Sequence, residues 1–301
     1  MPQDSADSAE TRCPGKMENI IVLGSEQSYD LFWLKMMFLS PGLGLAQGSL
    51  SVPYWTHADR TTVLYVAEGY SRSELLALEN LRSVGVHLEA FRSARALTTY
   101  INTREIDGER YDILRLLFIC HGLPGILDLN YQGGAFIKLN HGTMTAIEPN
   151  SFCAHARIYS YACRTGNSKW RESFSSLAQA EPENSLAQRM AIHCGVPFHA
   201  FYTRTLFAEC IRDPNDSDRI SAAATRLRVG SEGSILNLSD EHEALPHAGQ
   251  GTANRYVFFE NGQVDEGTSE YSLWRKQGGR AMPVADNTPE GLPGVFAVFE
   301  P

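Results

Sequence analysis

A cysteine and a histidine at the carboxyl ends of apolar runs can do acyl-transfer chemistry together, and this chain carries such a pair. Residues 113–120 read Ile-Leu-Arg-Leu-Leu-Phe-Ile-Cys and give way to His121-Gly122; residues 157–162 read Arg-Ile-Tyr-Ser-Tyr-Ala and give way to Cys163. A thiol attacks a carbonyl carbon as its thiolate, and a neighbouring imidazole takes the thiol proton and later returns it to the leaving amine. The oxyanion formed on the way needs backbone N–H donors. A glycine after the histidine lets the main chain come close, and the Cys163 N–H is the second donor, so Gly122 and Cys163 are the expected oxyanion site. Taken singly, a buried cysteine or histidine at a strand end is more often packing. Finding both at strand ends, with the histidine upstream, favours the catalytic reading, with His121 and Cys163 as the dyad.

Other pairings of reactive residues fit less well. Cys153 and His155, and His193 and Cys194, are close in sequence, but neither pair has C-x-x-C or H-E-x-x-H spacing, so no metal site is expected. Gly42-x-Gly44 follows a helical stretch where a dinucleotide loop would follow a strand, so no nucleotide cofactor is expected either.

The elements that must position the dyad read as alternating strands and helices. Residues 19–23 and 62–67 are short continuous apolar runs of the kind buried on both faces of a sheet. Residues 30–38 read as a helix, and residues 41–48, with three glycines, as a loop. Ser71-x-x-Glu74 is a capping box, followed by Leu75, Leu78, Leu81 and Val84 at helical spacing up to Gly85. A second helix is expected from Ser93 to Asn102, and a hairpin over residues 126–139 around Gly133-Gly134. Ser185-x-x-Gln188 caps a helix that stops at Gly195, and residues 196–207 return as a strand. Further on, residues 220–229 read as a helix, 231–251 as a loop, 256–264 as a hairpin and 295–299 as a last strand. This order predicts an α/β fold with a mostly parallel central sheet and helices on both faces. Ligands of such sheets bind outside the carboxyl ends of the strands, which puts His121 and Cys163 on one rim.

With those residues in place, the chain resembles a known family. His121-Gly122 after one apolar strand and Tyr161-Ala162-Cys163-Arg164-Thr165-Gly166 after another are similar to the catalytic pattern of caspase-like (clan CD) cysteine peptidases, nearest to the bacterial CHAT-domain branch. The histidine turn feeding a small hairpin over residues 121–129 is similar too. Tyr161 stands where caspases have Gln, and Thr165 intervenes before the glycine. The likeness spans residues 113–207. It implies a caspase-like three-layer sandwich formed by a single domain over residues 18–301, and an endopeptidase that uses no metal and no organic cofactor; residues 1–17, polar and partly acidic, read as a flexible leader. It also implies a protein substrate, a protein activator, and a backbone carbonyl orienting His121. The pocket for the residue before the cut would be built from Glu26, Tyr161 and Arg204: Arg204 selects an acidic residue, or Glu26 a basic one. Basic-specific relatives often carry Asp where Tyr161 stands. A free protease must be restrained, so residues 167–184, directly after the nucleophile turn, are expected to form a mobile gating loop.

Composition agrees with a folded soluble protein. The 301 residues are 43% hydrophobic, 20% charged and 10% aromatic, with a net charge of −9 and no dense run of Lys and Arg, which argues against nucleic acid as a partner. No apolar run approaches the roughly 20 residues needed to span a bilayer, so no membrane partner is expected. Six scattered cysteines suit a reducing, cytoplasmic compartment. Two other functions use the same residues: a non-catalytic caspase-fold signalling or scaffold module, and a Cys-dependent amidase or acyltransferase.

Overall fold

The computed structural model describes residues 15–27, 35–106, 108–207 and 281–301, together with Cys210, Trp274, Lys276, Gly278 and Gly279. The helix expected at 220–229, the loop at 231–251 and the hairpin at 256–264 lie outside the described residues.

In chain order the elements are β1 (Lys16–Leu23), β2 (Ser25–Glu26), α1 (Leu39–Ala46), β3 (Arg60–Tyr65), α2 (Arg72–Glu79), β4 (His87–Ala90), α3 (Ala94–Thr103), β5 (Glu105–Ile106), β6 (Glu109–Ile119), β7 (His121–Leu123), β8 (Ile126–Asp128), β9 (Asn130–Tyr131), β10 (Lys138–Asn140), β11 (Phe152–Ser160), α4 (Leu186–Cys194), β12 (Phe198–Phe201), β13 (Thr205–Leu206), β14 (Val284–Ala285) and β15 (Phe296–Phe299). The central sheet runs β15, β12, β11, β6, β1, β3, β4. Every neighbouring pair along it is parallel except β12 with β15, which closes the edge antiparallel. β1 starts at Lys16, inside the stretch expected to be a leader.

The apolar runs became strands because each buries both faces. Ile21, Leu23, Val63, Tyr65, Leu117 and Ile119 share one core with Leu39 and Leu43 of α1 and Leu78 of α2. Their alternate neighbours Ile20, Val22, Leu64, Leu116 and Phe118 share the other with Leu97 and Ile101 of α3 and Leu186 and Met190 of α4. Side chains that alternate across a strand need cover on both sides, and the four helices supply it as the outer layers of an α/β/α sandwich.

The capping signals act as read. Ser71 and Glu74 exchange side-chain and backbone hydrogen bonds at the start of α2. Ser185 accepts from the Gln188 N–H, and Gly195, at φ 68°, ends α4 in the left-handed conformation glycine adopts without strain. Residues 126–139 form the expected hairpin, with β8 paired to β10.

One assignment is corrected. The stretch 41–48, read as a loop, is mostly α1; of the helix expected over 30–38, residues 30–34 lie outside the described residues, Lys35 is helical and residues 36–38 form a turn. Pro41 lies in the first turn of α1, where its missing N–H has no acceptor to lose. Gly42 and Gly44 serve contact: a Cβ on Gly42 would stand 2.9 Å from Leu23 Cδ1, and one on Gly44 2.8 Å from the Gly279 carbonyl oxygen. Close packing onto the sheet outweighs the poor helix propensity of these residues.

Candidate active site

The parallel register of the two central strands places the dyad. β11 pairs with β6 so that Ser160 lies opposite Phe118, and His121 and Cys163 each follow three residues later, just past the ends of β6 and β11. The exits stay in touch: the Tyr161 N–H donates to the Phe118 carbonyl at 2.9 Å. A Cβ on Gly122 would lie 2.7 Å from the Cys163 nitrogen and nearer still to its carbonyl oxygen. Only a glycine lets the histidine turn and the cysteine turn come this close. The Cys163 N–H has no acceptor among the described residues, which leaves it free to meet an oxyanion.

The turn after Cys163 is built by the residues that follow it. Arg164 takes a left-handed φ of 57°, and its N–H donates to the Thr203 carbonyl at 2.8 Å. The Thr165 hydroxyl is buried and donates to Ser160 Oγ at 2.9 Å. The Gly166 N–H donates to the Phe201 carbonyl at 2.9 Å, while a Cβ there would meet the Phe299 ring. The Cys-x-Thr-Gly sequence therefore fastens the Cys163 turn between β11 and β12.

His121 is held from three sides. Its ring lies edge-on to Phe38 at 4.9 Å between centroids and tilted against Tyr131 at 4.8 Å. Its Nε2 is bonded to Glu26 Oε2, both groups being buried. Glu26 arrives because β1 lies beside β6 and its exit turns across the histidine: the Gly24 N–H donates to the Ile119 carbonyl, and β2 then pairs with β9, Glu26 opposite Tyr131. A carboxylate thus does the orienting work expected of a backbone carbonyl.

Cys163 has different partners. Its Sγ lies 3.2 Å from the Thr205 hydroxyl and accepts the Thr205 N–H at 3.2 Å; no hydrogen bond among the described residues joins it to His121. The thiol is 3% exposed. Burial pushes it up from the ordinary cysteine range, opposed by the two Thr205 donors and by the positive charge of Arg204. Alkylation of Cys163 by iodoacetamide, followed by mass spectrometry of the Cys163 peptide, should be slower than that of free cysteine at pH 7.5. It should still be rising where free cysteine, with its pKa of about 8.5, has levelled off. A plateau at or below the free-cysteine midpoint would contradict the burial argument.

The three residues expected to line a pocket are placed differently from one another. Glu26 is committed to His121. Tyr161 is buried against Phe201 and Phe296, with ring centroids 5.9 and 4.8 Å away, and packs in the core. Arg204 stands beside Cys163 through Thr205 and pairs with Glu172. Thr205, Arg164 and Glu172 escaped sequence reading. Arg164 carried one signal, its place directly after the cysteine.

The connection over residues 167–184, expected to be mobile, is packed here. Phe174 and Ala180 are buried with Leu292, and the Phe174 N–H donates to the Glu290 carbonyl at 2.9 Å. Among the described residues no group of three or more His, Cys, Asp or Glu is placed to hold a metal ion. No helix among them is long and apolar enough to cross a membrane.

No family model, curated protein or solved structure matches this chain.

Proposed function

We propose that the chain is a cysteine endopeptidase that hydrolyses peptide bonds of a protein substrate through a Cys163–His121 dyad. The observation that carries this reading is the level exit of two adjacent parallel strands into His121-Gly122 and Cys163, with their backbones in contact. The resemblance of these motifs to caspase-like peptidases supports it. Cys120, Cys163 and Cys194 are in no disulfide, which supports a reducing, cytoplasmic setting.

In this mechanism His121 takes the thiol proton and the Cys163 sulfur forms a bond to the scissile carbonyl carbon. The carbonyl electron pair moves to oxygen, where the Cys163 and Gly122 N–H groups meet it. When the oxyanion collapses, the C–N bond breaks and His121 returns the proton to the amine. Water, deprotonated by the same imidazole, then attacks the thioester and releases the acid and the free thiol. Thr205 must release Sγ for attack, a step that a peptide seated in the site would drive.

A peptidyl acyloxymethyl ketone, whose mechanism requires an activated thiolate, tests this directly. Labelling confined to the Cys163 peptide is the expected result; no labelling with a broad panel of such probes would favour the non-catalytic scaffold.

Glu26 acts here as a positioning residue, because it touches the imidazole and not the substrate. Glu26→Gln should lower kcat by about 10- to 100-fold. That is less than the roughly 10⁴-fold cost of removing the orienting carboxylate behind a serine nucleophile, since a thiol needs less help to ionise. KM and the melting temperature should stay close to wild type, because the isosteric amide fills the same space. An unchanged kcat would remove Glu26 from the mechanism.

A further inference from the structure

Two arginines lie opposite each other on neighbouring central strands. β6 and β11 pair so that Arg115 faces Arg157 in the register. Like charges in that position repel, and an anion between them would stabilise the sheet. β11 advances from Phe152 to Arg157 while β6 advances only from Ile113 to Arg115, and a cavity of about 310 Å³ lies at this break in register. Its walls include both arginines, Ala154 and Ala156 of the irregular stretch, Tyr54, and Pro197 ahead of β12. No Asp or Glu lines it, although the chain as a whole carries a net charge of −9.

The two cations are fixed by groups that leave their charge standing. Arg115 is 5% exposed and is held by uncharged acceptors, its Nε donating to the Tyr54 carbonyl at 2.8 Å and its Nη1 to the His155 carbonyl at 2.9 Å. Arg157 lies over the Tyr54 ring, 4.3 Å from its centroid, and has no carboxylate partner among the described residues. Its Nη1 is 3.3 Å from Nε2 of the buried His199. Because a guanidinium has no acceptor, that ring nitrogen accepts and the imidazole is neutral. Burial, and then the charges of Arg157 and Arg115, hold the His199 pKa down to about 4, in agreement. The cavity therefore carries two positive charges on rigidly held donors.

Fixed guanidinium forks match the several oxygens of a phosphate dianion better than the two oxygens of a singly charged carboxylate. The Thr56 hydroxyl, which accepts from Arg115 Nη2 at 3.4 Å and also lines the cavity, keeps its own proton to donate. The volume exceeds that of one phosphate and falls at the lower end of small-molecule pockets. Ala154, Ala156 and Pro197 offer the rest of such a ligand an apolar wall.

We propose that this cavity binds a small organic phosphate, its phosphate held by Arg115 and Arg157 and its apolar remainder against Ala154, Ala156 and Pro197. Arg115 and Arg157 stand six residues before His121 and Cys163 on the same two strands. At about 3.3 Å per residue that is roughly 20 Å, so the cavity is separate from the candidate active site and does not rest on the peptidase reading.

The test titrates the full chain with phenyl phosphate, inorganic phosphate, benzoate and phenol by isothermal titration calorimetry at low salt, where charge attraction is least screened. Phenyl phosphate should saturate a single site, inorganic phosphate should compete for it more weakly, and benzoate and phenol should not saturate in the same range. Arg157→Gln should weaken phenyl phosphate at least tenfold with a melting temperature close to wild type, because hydrogen bonds between charged groups are the strong ones. Arg157→Lys, which keeps the charge and loses the fork, should fall between. Ala154→Phe, which fills the cavity and leaves both charges in place, should abolish binding, whereas Cys163→Ala should bind as wild type does. No saturable binding of phenyl phosphate, benzoate binding as tightly, or an affinity unchanged by Arg157→Gln would overturn the proposal.

Discussion

Cys163→Ala should abolish turnover on the protein substrate, with kcat falling by about a thousandfold or more, while Cys120→Ala, Cys153→Ala and Cys194→Ala leave activity measurable. The contrast follows from where each thiol sits. Cys120, Cys153 and Cys194 are buried in the apolar core on the α3 and α4 side, and burial pushes Cys120 and Cys194 far up, the latter to about 12. They behave as small hydrophobes. Cys163 stands past the end of its strand, with an uncommitted backbone N–H, the Thr205 N–H donating to its sulfur and the Thr205 hydroxyl 3.2 Å from it. His121→Ala should match Cys163→Ala, and the double variant should be little worse than either, because members of a catalytic unit are not additive. The measurement is cleavage of the substrate followed by gel and by mass spectrometry of the new termini. Turnover near wild type in Cys163→Ala would end the peptidase assignment.

Gly122→Ala should be nearly as damaging, and by a different route. The added Cβ would lie 2.7 Å from the Cys163 nitrogen and 2.8 Å from the Ala162 Cβ, and nearer still to the Cys163 carbonyl oxygen. Two of those neighbours are backbone atoms, which cannot swing aside, so the exits of β6 and β11 must part. Overpacking of this kind costs roughly 1–3 kcal/mol, and more where the backbone has to move. A shift of about 1 Å at reacting groups costs about a hundredfold in rate. Both the melting temperature and kcat should therefore fall. Gly142→Ala, whose Cβ would only graze Asn140 Oδ1 at 3.4 Å, is the control and should be close to neutral. A Gly122→Ala chain as stable and as active as wild type would mean that the two turns do not need this contact.

The strands, most helices and both caps were legible because they depend on neighbours in the chain. The continuous apolar run of residues 113–120 reads as a strand buried on both faces, and Ser185 with Gln188 marks the start of α4 whatever it packs against. The helix α1 was not legible. Its Pro41, Gly42 and Gly44 argue against a helix locally, and the reason they are tolerated, contact with Leu23 and Gly279, lies in residues distant in sequence.

For the candidate site, the sequence by itself determined that His121, Gly122 and Cys163 share one rim, since residues directly after adjacent parallel strands leave the sheet at the same edge. Which groups serve those residues was decided only by the tertiary structure. Glu26 reaches His121 because β1 is the neighbour of β6 in the sheet, and strand order is set by packing, not by spacing along the chain. Thr205 reaches Cys163, and Glu172 reaches Arg164 and Arg204, across loops whose paths no local periodicity encodes. Hydrogen bonds and ion pairs between distant segments are short-range and directional, so they form only once the core has brought those segments together.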